Sequence, residues 1–578
     1  MIRGKQNGLV EAMVKKDTYI GVVIDGISIG EKETPSAKHA WVLAKRNDIV
    51  LGDFVKIVDK DRNVEFIGYV SNTFSKSKFG LPLATAISAV EEERAVTEIE
   101  QYSKDPILFI KITVTKIYNM ENKTFEDPIR PIIPGQSVYF LDEKEIMLKG
   151  LGLNNPQIRS YGPIHIGSLY IRQDVPVKLE SAFVFNHVGI WGMQGRGKSE
   201  TATVLVEELA KLGWAVVLFD LHGEYSEIDQ PKMAGDERLK VKKLILGGEH
   251  DDKLGESVKL ELPCLLEHDE AIDLLLDAVR IADDTNPLSG QGIDLLLNLY
   301  KGVIMGESLK GKTDRGRATK TFPPPKDWNV DQPKMAGNER RSRCPSGESA
   351  PQKFFEGLID MLDEVGEFLG YADQTIDAVK RRLRAINKPG LWGGSLDVKE
   401  VVLPGFVTLF DLSSYMPKTI TGEGFDVPAK IIFAEFLKRL VKTKQTREID
   451  PELPVAVVVD EAGSFFPPES QFWTRLGKNF IRQVRKLHNG LIVIAQSPKY
   501  LHPDIVGQIG THIIFRITGN ALKELKDHVD MEDAIFEDLK TLDRMVAYVY
   551  GDMTDYMPIK IRVREPKVKH KKFFGLFE

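Results

Sequence analysis

The pattern of apolar and polar positions changes character once along this chain, near residue 183. Before that point, short segments alternate apolar and polar residues and are rich in β-branched and aromatic side chains, which predicts strands. Turn residues separate them at regular spacing, and this spacing indicates a small barrel or sandwich. A loop and an acidic, helix-like segment interrupt the pattern at 75–100. The predicted strands lie at 19–24, 40–45, 54–59, 64–71, 107–117 and 137–142.

After residue 183, apolar runs alternate with helical patterns. This alternation is typical of a largely parallel sheet with helices on both faces. Between 225 and 404 helical patterns mostly replace the apolar runs, which predicts a helical subdomain inserted into an α/β core. Within it, 310–320 carries five Lys or Arg against one Asp and precedes a proline-rich stretch, which predicts a mobile loop. The predicted core strands lie at 183–190, 214–220, 406–411, 455–460, 491–495, 512–517 and 545–550.

These patterns divide the chain into four predicted parts. A small β-barrel occupies 1–150, and the α/β core occupies 151–228 and 400–552. The helical insert spans 229–399, and 553–578 forms a C-terminal extension. The heptapeptide DQPKMAG occurs twice, at 229–235 and 331–337, which are too few copies to predict a repeat architecture.

Composition limits the classes of protein that fit. A length of 578 residues predicts two to four domains. The net charge of −6 excludes a globally basic nucleic-acid binder but leaves a local basic surface open. No apolar run is long enough to predict a membrane span, and the N-terminus lacks the apolar core of a secretory signal. The only cysteines, Cys264 and Cys344, argue against a disulfide scaffold and fit a reducing cytoplasm, the expected location.

The strongest chemical signal is a glycine-rich turn between a predicted strand and a predicted helix, running from Gly192 to Ser199. This is the spacing of a P-loop, in which backbone N–H groups and the helix N-terminus hold nucleotide phosphates. Lys198 is predicted to neutralise the phosphates and the Ser199 hydroxyl to coordinate Mg²⁺. The sequence therefore predicts ATP and Mg²⁺ as cofactors. The predicted nucleotide-binding residues are Gly192, Gly195, Arg196, Gly197, Lys198, Ser199 and Glu200.

Two later strands end in residues that suit the same site. Asp460 and Glu461 follow a buried apolar run, which predicts Asp460 in the Mg²⁺ shell and Glu461 as the group that orients the attacking water. Gln496 ends the next strand and is interpreted as a γ-phosphate sensor, although a surface glutamine is the alternative.

A basic helix near 474–486 places Arg482 and Arg485 three residues apart, and therefore on one face. That face could supply an arginine finger to the ATP of a neighbouring subunit. A solvated basic helix is the alternative, and spacing alone favours it.

Together these motifs resemble the HerA family within the HerA–FtsK group of ring-shaped DNA motors. The resemblance extends to Asp220-Leu-His-Gly-Glu-Tyr225, to Asp460-Glu-Ala462 and to the segments 481–486, 496–498 and 510–516. It implies a RecA-like P-loop core, an N-terminal HAS barrel and a homohexamer with ATP sites between subunits. It also implies Arg485, with Arg482 next in line, as the trans-acting finger, and a tail over 555–578 that braces a neighbour. This chain departs from the family pattern at Gln194, Arg196 and Ser497, the last of which replaces a basic residue.

The resemblance implies an ATP-driven hexameric translocase or helicase on double-stranded DNA that works with a nuclease or other effector in DNA processing. The alternative is an ATPase ring that scaffolds and regulates an effector, such as a sirtuin-like enzyme, in an antiviral complex. The barrel is the expected docking surface in both cases. A conjugation or division motor is less favoured because no membrane segment is present. Two segments are candidate DNA contacts, each weighed against a solvated charged face. They are 310–320 and the helix bearing Lys380, Arg381, Arg382 and Arg384.

Overall fold

A computed structural model provides the structure of the chain, and its contacts divide it into two compact units. The first unit comprises 1–183, 191–197 and 510–564, and the second comprises 184–190, 198–509 and 565–578. The four predicted domain boundaries stay predictions. The residues that the structure describes are 18–25, 27–29, 31–33, 35–77, 106–151, 159–170, 172–246, 255–284, 286–313, 316–328, 343–413 and 426–569.

The first unit begins with a closed antiparallel barrel. Six strands run in the order β4-β1-β9-β5-β6-β7, and β7 pairs back with β4. Gly68 lies at a bulge in β6, where a Cβ atom would lie 2.2 Å from the carbonyl oxygen of Thr113. The predicted strands are confirmed, and of the two predicted folds, a barrel or a sandwich, the strands form the barrel. The strands of this region are β1 (Tyr19–Ile24), β2 (Ile27–Ile29), β3 (Glu31–Glu33), β4 (His39–Ala44), β5 (Phe54–Asp59), β6 (Val64–Ser77), β7 (Pro106–Asn119), β8 (Thr124–Glu126) and β9 (Ser137–Phe140).

The first unit also holds an antiparallel set of strands in the order β11-β10-β23-β22-β21. The second unit holds strands in the order β12-β20-β19-β13-β18-β14-β15, and β19, β13, β18 and β14 each pair in parallel with their neighbours. β19 is buried along its whole length, which explains its unbroken apolar run. These strands are β10 (Pro163–Leu169), β11 (Pro176–Glu180), β12 (Val188–Trp191), β13 (Ala215–Asp220), β14 (Lys240–Ile245), β15 (Glu256–Ser257), β16 (Leu309–Thr313), β17 (Gly316–Lys320), β18 (Phe406–Asp411), β19 (Val455–Val459), β20 (Asn489–Ala495), β21 (Thr511–Ile514), β22 (Val546–Gly551) and β23 (Ile559–Val563).

Helices dominate the region between β15 and β18, which confirms the predicted helical subdomain. No helix among the described residues is long and apolar enough to cross a membrane. Helical turns of three or four residues occur at Glu143–Glu145, Val398–Val401, Ala462–Phe465 and Pro503–Val506. The longer α-helices are α1 (Lys198–Lys211), α2 (His268–Ile281), α3 (Gly290–Leu299), α4 (Ala350–Leu369), α5 (Asp373–Ile386), α6 (Val427–Gln445), α7 (Gln471–Lys486), α8 (Gly519–Lys526) and α9 (Asp533–Leu539).

The prediction that 310–320 is a loop was wrong for the described residues of this range, and its mobility stays a prediction. Leu309–Thr313 and Gly316–Lys320 pair as the antiparallel strands β16 and β17. Leu309 is buried, and the Lys320 ammonium lies 2.6 Å from Glu364 and above the ring of Phe322. The buried Leu309 and the contacts of Lys320 therefore stabilise the hairpin, although its high charge favoured a loop.

One other expectation needs correction, and one contact was not expected. The predicted strand at 183–190 is a 3-10 helix over Ser181–Asn186, and the strand begins only at Val188. Cys264 and Cys344 form a disulfide with a Cα–Cα distance of 5.6 Å, and the sequence did not predict this pairing. Nothing in a separation of 80 residues predicts this contact, because it depends on how the insert folds.

The C-terminal segment packs against its own chain as far as residue 569. The buried carboxylate of Glu207, on α1, accepts the backbone N–H groups of Lys567 at 2.5 Å and Val568 at 2.9 Å. Pro231, in the first DQPKMAG copy, forms a bridge with Val568. The second copy and residues 570–578 lie outside the described residues, so the bracing of a neighbour stays a prediction.

His187 makes the stability of the second unit depend on pH. Its Nδ1 accepts the backbone N–H of Leu491 at 3.0 Å, and burial lowers the pKa of its imidazole to about 4. The unfolded chain takes up a proton near pH 6.5, whereas the folded chain does so only near pH 4, so stability falls as the pH decreases across this window. We expect a loss of about 2 kcal/mol near pH 5 from this group.

The His187→Asn variant should lose less stability on acidification than the natural chain. Asparagine accepts the same hydrogen bond and tolerates the φ of 64° found here, but it does not titrate. Urea unfolding near pH 7 and near pH 5 measures the difference. The exposed His528→Asn serves as the control, and an equal pH dependence in all three proteins would contradict the assignment.

Candidate active site

The glycine loop between β12 and α1 has a backbone that other residues tolerate poorly. Gly192, Gly195 and Gly197 have φ values of 147°, 72° and 114°. A Cβ atom at Gly192 would lie 2.6 Å from the Cβ of Phe515, and one at Gly197 would lie 2.6 Å from the Sδ of Met545. The loop is therefore shaped for glycine at the three positions that the motif predicted.

The non-glycine residues of the loop contribute mainly backbone. The N–H of Met193 donates to the carbonyl of Arg516 at 2.9 Å, and the carbonyl of Arg196 accepts from Met545 at 3.0 Å. The side chain of Gln194 is exposed and that of Arg196 is half-buried. The two departures from the family pattern thus leave the backbone of the loop intact.

Helix α1 begins at Lys198, directly after the loop, so Lys198, Ser199 and Glu200 form its first turn. Burial lowers the pKa of the Lys198 ammonium, and the carboxylates of Asp460 and Glu461 act in the opposite direction. Glu224 and Glu200 add to that effect. Both of the predicted strand-end acids therefore lie close enough for their charges to act on Lys198. The Ser199 carbonyl accepts the hydroxyl of Thr203 at 2.9 Å, as in a regular helix.

Asp460 lies at the end of β19 and is almost fully buried. Burial and the nearby charge of Glu224 raise the pKa of its carboxyl group to about 6. The phenol of Tyr225 donates to Oδ2 at 3.0 Å, and the Glu461 backbone donates to Oδ1 at 2.9 Å. These two hydrogen bonds fix the carboxyl group in one orientation and favour its ionised form.

Tyr225 is held in turn by Asp220, at the end of β13. The Asp220 carboxylate accepts backbone N–H groups from His222, Gly223, Glu224 and Tyr225 at 2.8–3.3 Å. Burial raises the pKa of this carboxyl group to about 7. The family resemblance pointed to this segment, but sequence reasoning assigned it no role. Its role in the structure is to build the turn that places Tyr225 against Asp460.

Glu461 adopts a left-handed conformation, with φ 48° and ψ 47°. For a glutamate this conformation costs about 1–2 kcal/mol. It ends the strand abruptly and leaves the side chain exposed, immediately before the helical turn Ala462–Phe465. A strained, exposed acid next to a buried one suits a group that must reach a substrate.

The remaining predicted residues lie on the same unit but are not joined to this cluster by a hydrogen bond or ion pair among the described residues. Gln496 follows the last residue of β20 and is exposed. Arg482 and Arg485 are both exposed on α7. Arg485 lies close enough to His187 for its charge to help lower the pKa of that histidine.

The donor set fits a Mg²⁺ ion that arrives with a nucleotide. Among the described residues, no group of three or more His, Cys, Asp or Glu side chains is arranged to hold a metal ion by itself. Mg²⁺ is usually bound through one or two protein oxygens together with substrate phosphates. Ser199 and Asp460 supply that number of ligands. Burial and, to a lesser extent, the charge of Glu224 raise the pKa of Asp460, and a cation at this carboxyl group would favour its ionised form.

The two candidate basic segments differ in how much positive charge they present. In the hairpin, Lys310 and Arg317 are exposed. On α5, the Lys380 ammonium lies 2.6 Å from Asp363, and Arg382 is buried with its guanidinium 3.0 Å from Asp283. Arg381, largely exposed, also pairs with Asp283, and Arg384 is exposed. Much of the charge of α5 therefore serves contacts within the chain.

Comparisons with known proteins find several similar chains. The family model described as the central domain of helicase HerA matches residues 164–263. The DNA double-strand break repair helicase HerA of Sulfolobus acidocaldarius is 23% identical over 507 residues, covering 86% of each chain. The HerA helicase of Saccharolobus solfataricus is 24% identical over 549 residues, covering 94% of this chain and 92% of the relative. The solved structure of VirB4 of Thermoanaerobacter pseudethanolicus matches with a TM-score of 0.46 and 17% identity, covering 70% of this chain and 98% of that one.

Proposed function

We propose that this chain, a HerA-like P-loop ATPase of the HerA–FtsK group, uses ATP hydrolysis to move along double-stranded DNA. The observation that carries the proposal is that the charges of Asp460, Glu461 and Glu224 act on Lys198, which directly follows the glycine loop. The relatives of similar length are named as DNA repair helicases, which supports DNA as the substrate.

Each residue of the cluster has a proposed task in hydrolysis. The loop N–H groups and Lys198 bind the β- and γ-phosphates, and Ser199 and Asp460 hold Mg²⁺. When bound, Mg²⁺ neutralises charge on the phosphate oxygens. Glu461 orients the attacking water and accepts its proton. Gln496 contacts the γ-phosphate from the end of β20, and Glu200 tunes the charge of Lys198. Tyr225 keeps the Asp460 carboxylate oriented and ionised.

The arginines of α7 support a site that is completed by a second subunit. Arg482 and Arg485 are exposed and form no ion pair with an acid of the described chain. An arginine that stabilises the transition state from a neighbouring subunit must be exposed in the single chain. We therefore propose a ring of identical subunits, with six expected from the family resemblance, in which Arg485 acts on the neighbour's ATP and Arg482 assists.

The β16–β17 hairpin is the favoured DNA contact. It projects exposed Lys310 and Arg317, and lysine or arginine on a hairpin contacts phosphates without reading sequence, as a tracking motor requires. Of the α5 candidates, Arg384 and Arg381 remain exposed enough to join it.

Movement along DNA is tested by displacement of a third strand from a triplex at the end of a long duplex. The natural chain should displace the strand only with ATP and Mg²⁺. Lys198→Ala should not displace it, because it cannot bind the phosphates. Hydrolysis of ATP without displacement of the third strand would contradict a translocase and favour a ring that uses ATP for another purpose.

Docking of a nuclease or a sirtuin-like effector on the barrel stays a prediction, and so does the antiviral scaffold. The barrel exposes Ile129 and Ile133 on the loop before β9, which gives the prediction a defined place. A pull-down from native cells with the natural barrel and with an Ile129→Ser and Ile133→Ser variant would test it. Recovery of the same effector with both proteins would place the contact elsewhere.

A further inference from the structure

We propose that Asp277 and Asp284, at the end of α2 in the helical insert, are positioning residues that fix the arginine-bearing helix α7 for catalysis. The inference rests on the proposed function, because it takes Arg485 as the group that completes a neighbour's site. It goes further because it names two residues that hold α7, and therefore Arg485, in place, and both residues belong to the insert.

Asp284 holds the start of α7. Its carboxylate accepts the backbone N–H of Phe472 at 2.9 Å, and its own carbonyl accepts the N–H of Gln471 at 3.3 Å. These N–H groups belong to the first turn, where a helix has no partners of its own. Ser470 also caps this turn, by accepting from Trp473 at 3.1 Å. The helix therefore has its own cap, and Asp284 adds an attachment to the insert.

Asp277 makes a second attachment one turn further along α7. Its carboxylate is buried and accepts Arg475 at 2.5 Å and Lys438 of α6 at 2.7 Å. Charged hydrogen bonds to a buried carboxylate are strong and directional. Two contacts about one turn apart fix both the position of the helix start and its rotation about its axis.

The far end of the same helix carries Arg482 and Arg485, and a rigid helix transmits a change at its start to its end. α7 is also joined to the segment after Glu461, since the indole of Trp473 donates to the carbonyl of Phe465 at 2.8 Å. The start of α7 is thus the place where the insert and the helical turn after Glu461 both contact the arginine helix.

Within the insert, the residue next to Asp284 contacts the basic helix α5. Asp283, next to Asp284, pairs with Arg381 at 3.2 Å and with the buried Arg382 at 3.0 Å. The Asn286 carbonyl also accepts from Arg382. One short turn therefore contacts α5 on one side and α7 on the other. If α5 moved on contact with a polyanion, this turn would transmit the movement to α7 and its arginines.

The test compares Asp284→Ala, Asp284→Asn and Asp277→Asn with the natural chain, using the full-length protein with ATP, Mg²⁺ and duplex DNA. Asp273→Asn, an exposed acid on the same helix, is the matched control. We expect kcat to fall about tenfold or more in Asp284→Ala and Asp277→Asn with KM for ATP unchanged, because a small misplacement of a catalytic group is costly while the nucleotide site is intact. Asp284→Asn should recover most of the loss, since asparagine accepts the same backbone hydrogen bond.

A second comparison separates positioning from general destabilisation. In an Arg485→Ala background, Asp284→Ala should cause no further loss of kcat, because the group it positions is gone. An equal fold-loss in both backgrounds, or unchanged kcat in Asp284→Ala and Asp277→Asn, would overturn the inference while leaving the proposed function in place. Natural turnover in Arg485→Ala alone would overturn the inference together with the proposed role of Arg485, so that variant is measured first.

Discussion

Replacing Arg485 by alanine should lower ATP turnover by about 10³-fold or more, because a trans-acting arginine stabilises charge that develops only in the transition state. Arg485 is exposed near the end of α7, where nothing in its own chain uses its charge for an ion pair within the described residues. The binding of ATP should change little, since Lys198 and Ser199 remain. Steady-state turnover and binding of a fluorescent nucleotide measure the two effects. Lys486→Ala, the exposed neighbour, is the control and should keep near-natural turnover.

Whether Arg485 acts across a subunit boundary is decided by mixing inactive variants. Arg485→Ala subunits keep Glu461, and Glu461→Gln subunits keep Arg485. In a ring that contains both variants, some subunit boundaries combine Glu461 of one subunit with Arg485 of its neighbour. ATP turnover should therefore return. If the mixture stays as inactive as its components although the subunits exchange, Arg485 acts within its own chain or not at all.

Replacing Glu461 by glutamine should lower kcat by about 10²–10⁴-fold, the range expected for loss of a general base. Glutamine keeps the size of the side chain but cannot accept the proton of the attacking water. ATP and Mg²⁺ should still bind, because Asp460 and Ser199 are unchanged and one negative charge near Lys198 is removed. Single-turnover hydrolysis and nucleotide binding, measured on the same preparation, test both halves of the prediction.

Glu224→Gln is the matched control for Glu461, because Glu224 is another acid whose charge acts on Lys198 and Asp460. It should raise or leave unchanged the affinity for ATP and retain most of the turnover. The opposite pattern, with turnover lost in Glu224→Gln and retained in Glu461→Gln, would move the general base from the end of β19 to the turn after β13.

The parts of the fold that depend on local pattern were predictable. The strands predicted at 455–460 and 54–59 match Val455–Val459 and Phe54–Asp59 to within one residue, because burial of two faces gives an unbroken apolar run and burial of one face gives alternation. The positions of Lys198 at the start of α1 and of Asp460 directly after β19 were predictable for a similar reason, since a glycine-rich turn before a helix and an acid after an apolar run are local patterns.

The parts that depend on contacts distant in sequence were not predictable. The β16–β17 hairpin is charged, and its order depends on Glu364 and Phe322. The contact of Tyr225 with Asp460 joins residues 235 positions apart. The attachments of Asp277 and Asp284 to α7 join residues nearly 200 positions apart, and an acidic residue at a helix end usually faces solvent. Left-handed Glu461 carries no sequence signal, because glutamate is an unusual choice for that backbone.

Whether ATP hydrolysis by this chain serves movement on DNA is decided by measuring ATP turnover of the purified protein with and without duplex DNA. We expect saturating duplex DNA to raise kcat several-fold. This increase should fall steeply with salt, because phosphate contacts release counterions, and Lys310→Ala with Arg317→Ala should reduce it. The same turnover with and without duplex DNA, at low salt and in a protein that hydrolyses ATP, would contradict this role of hydrolysis.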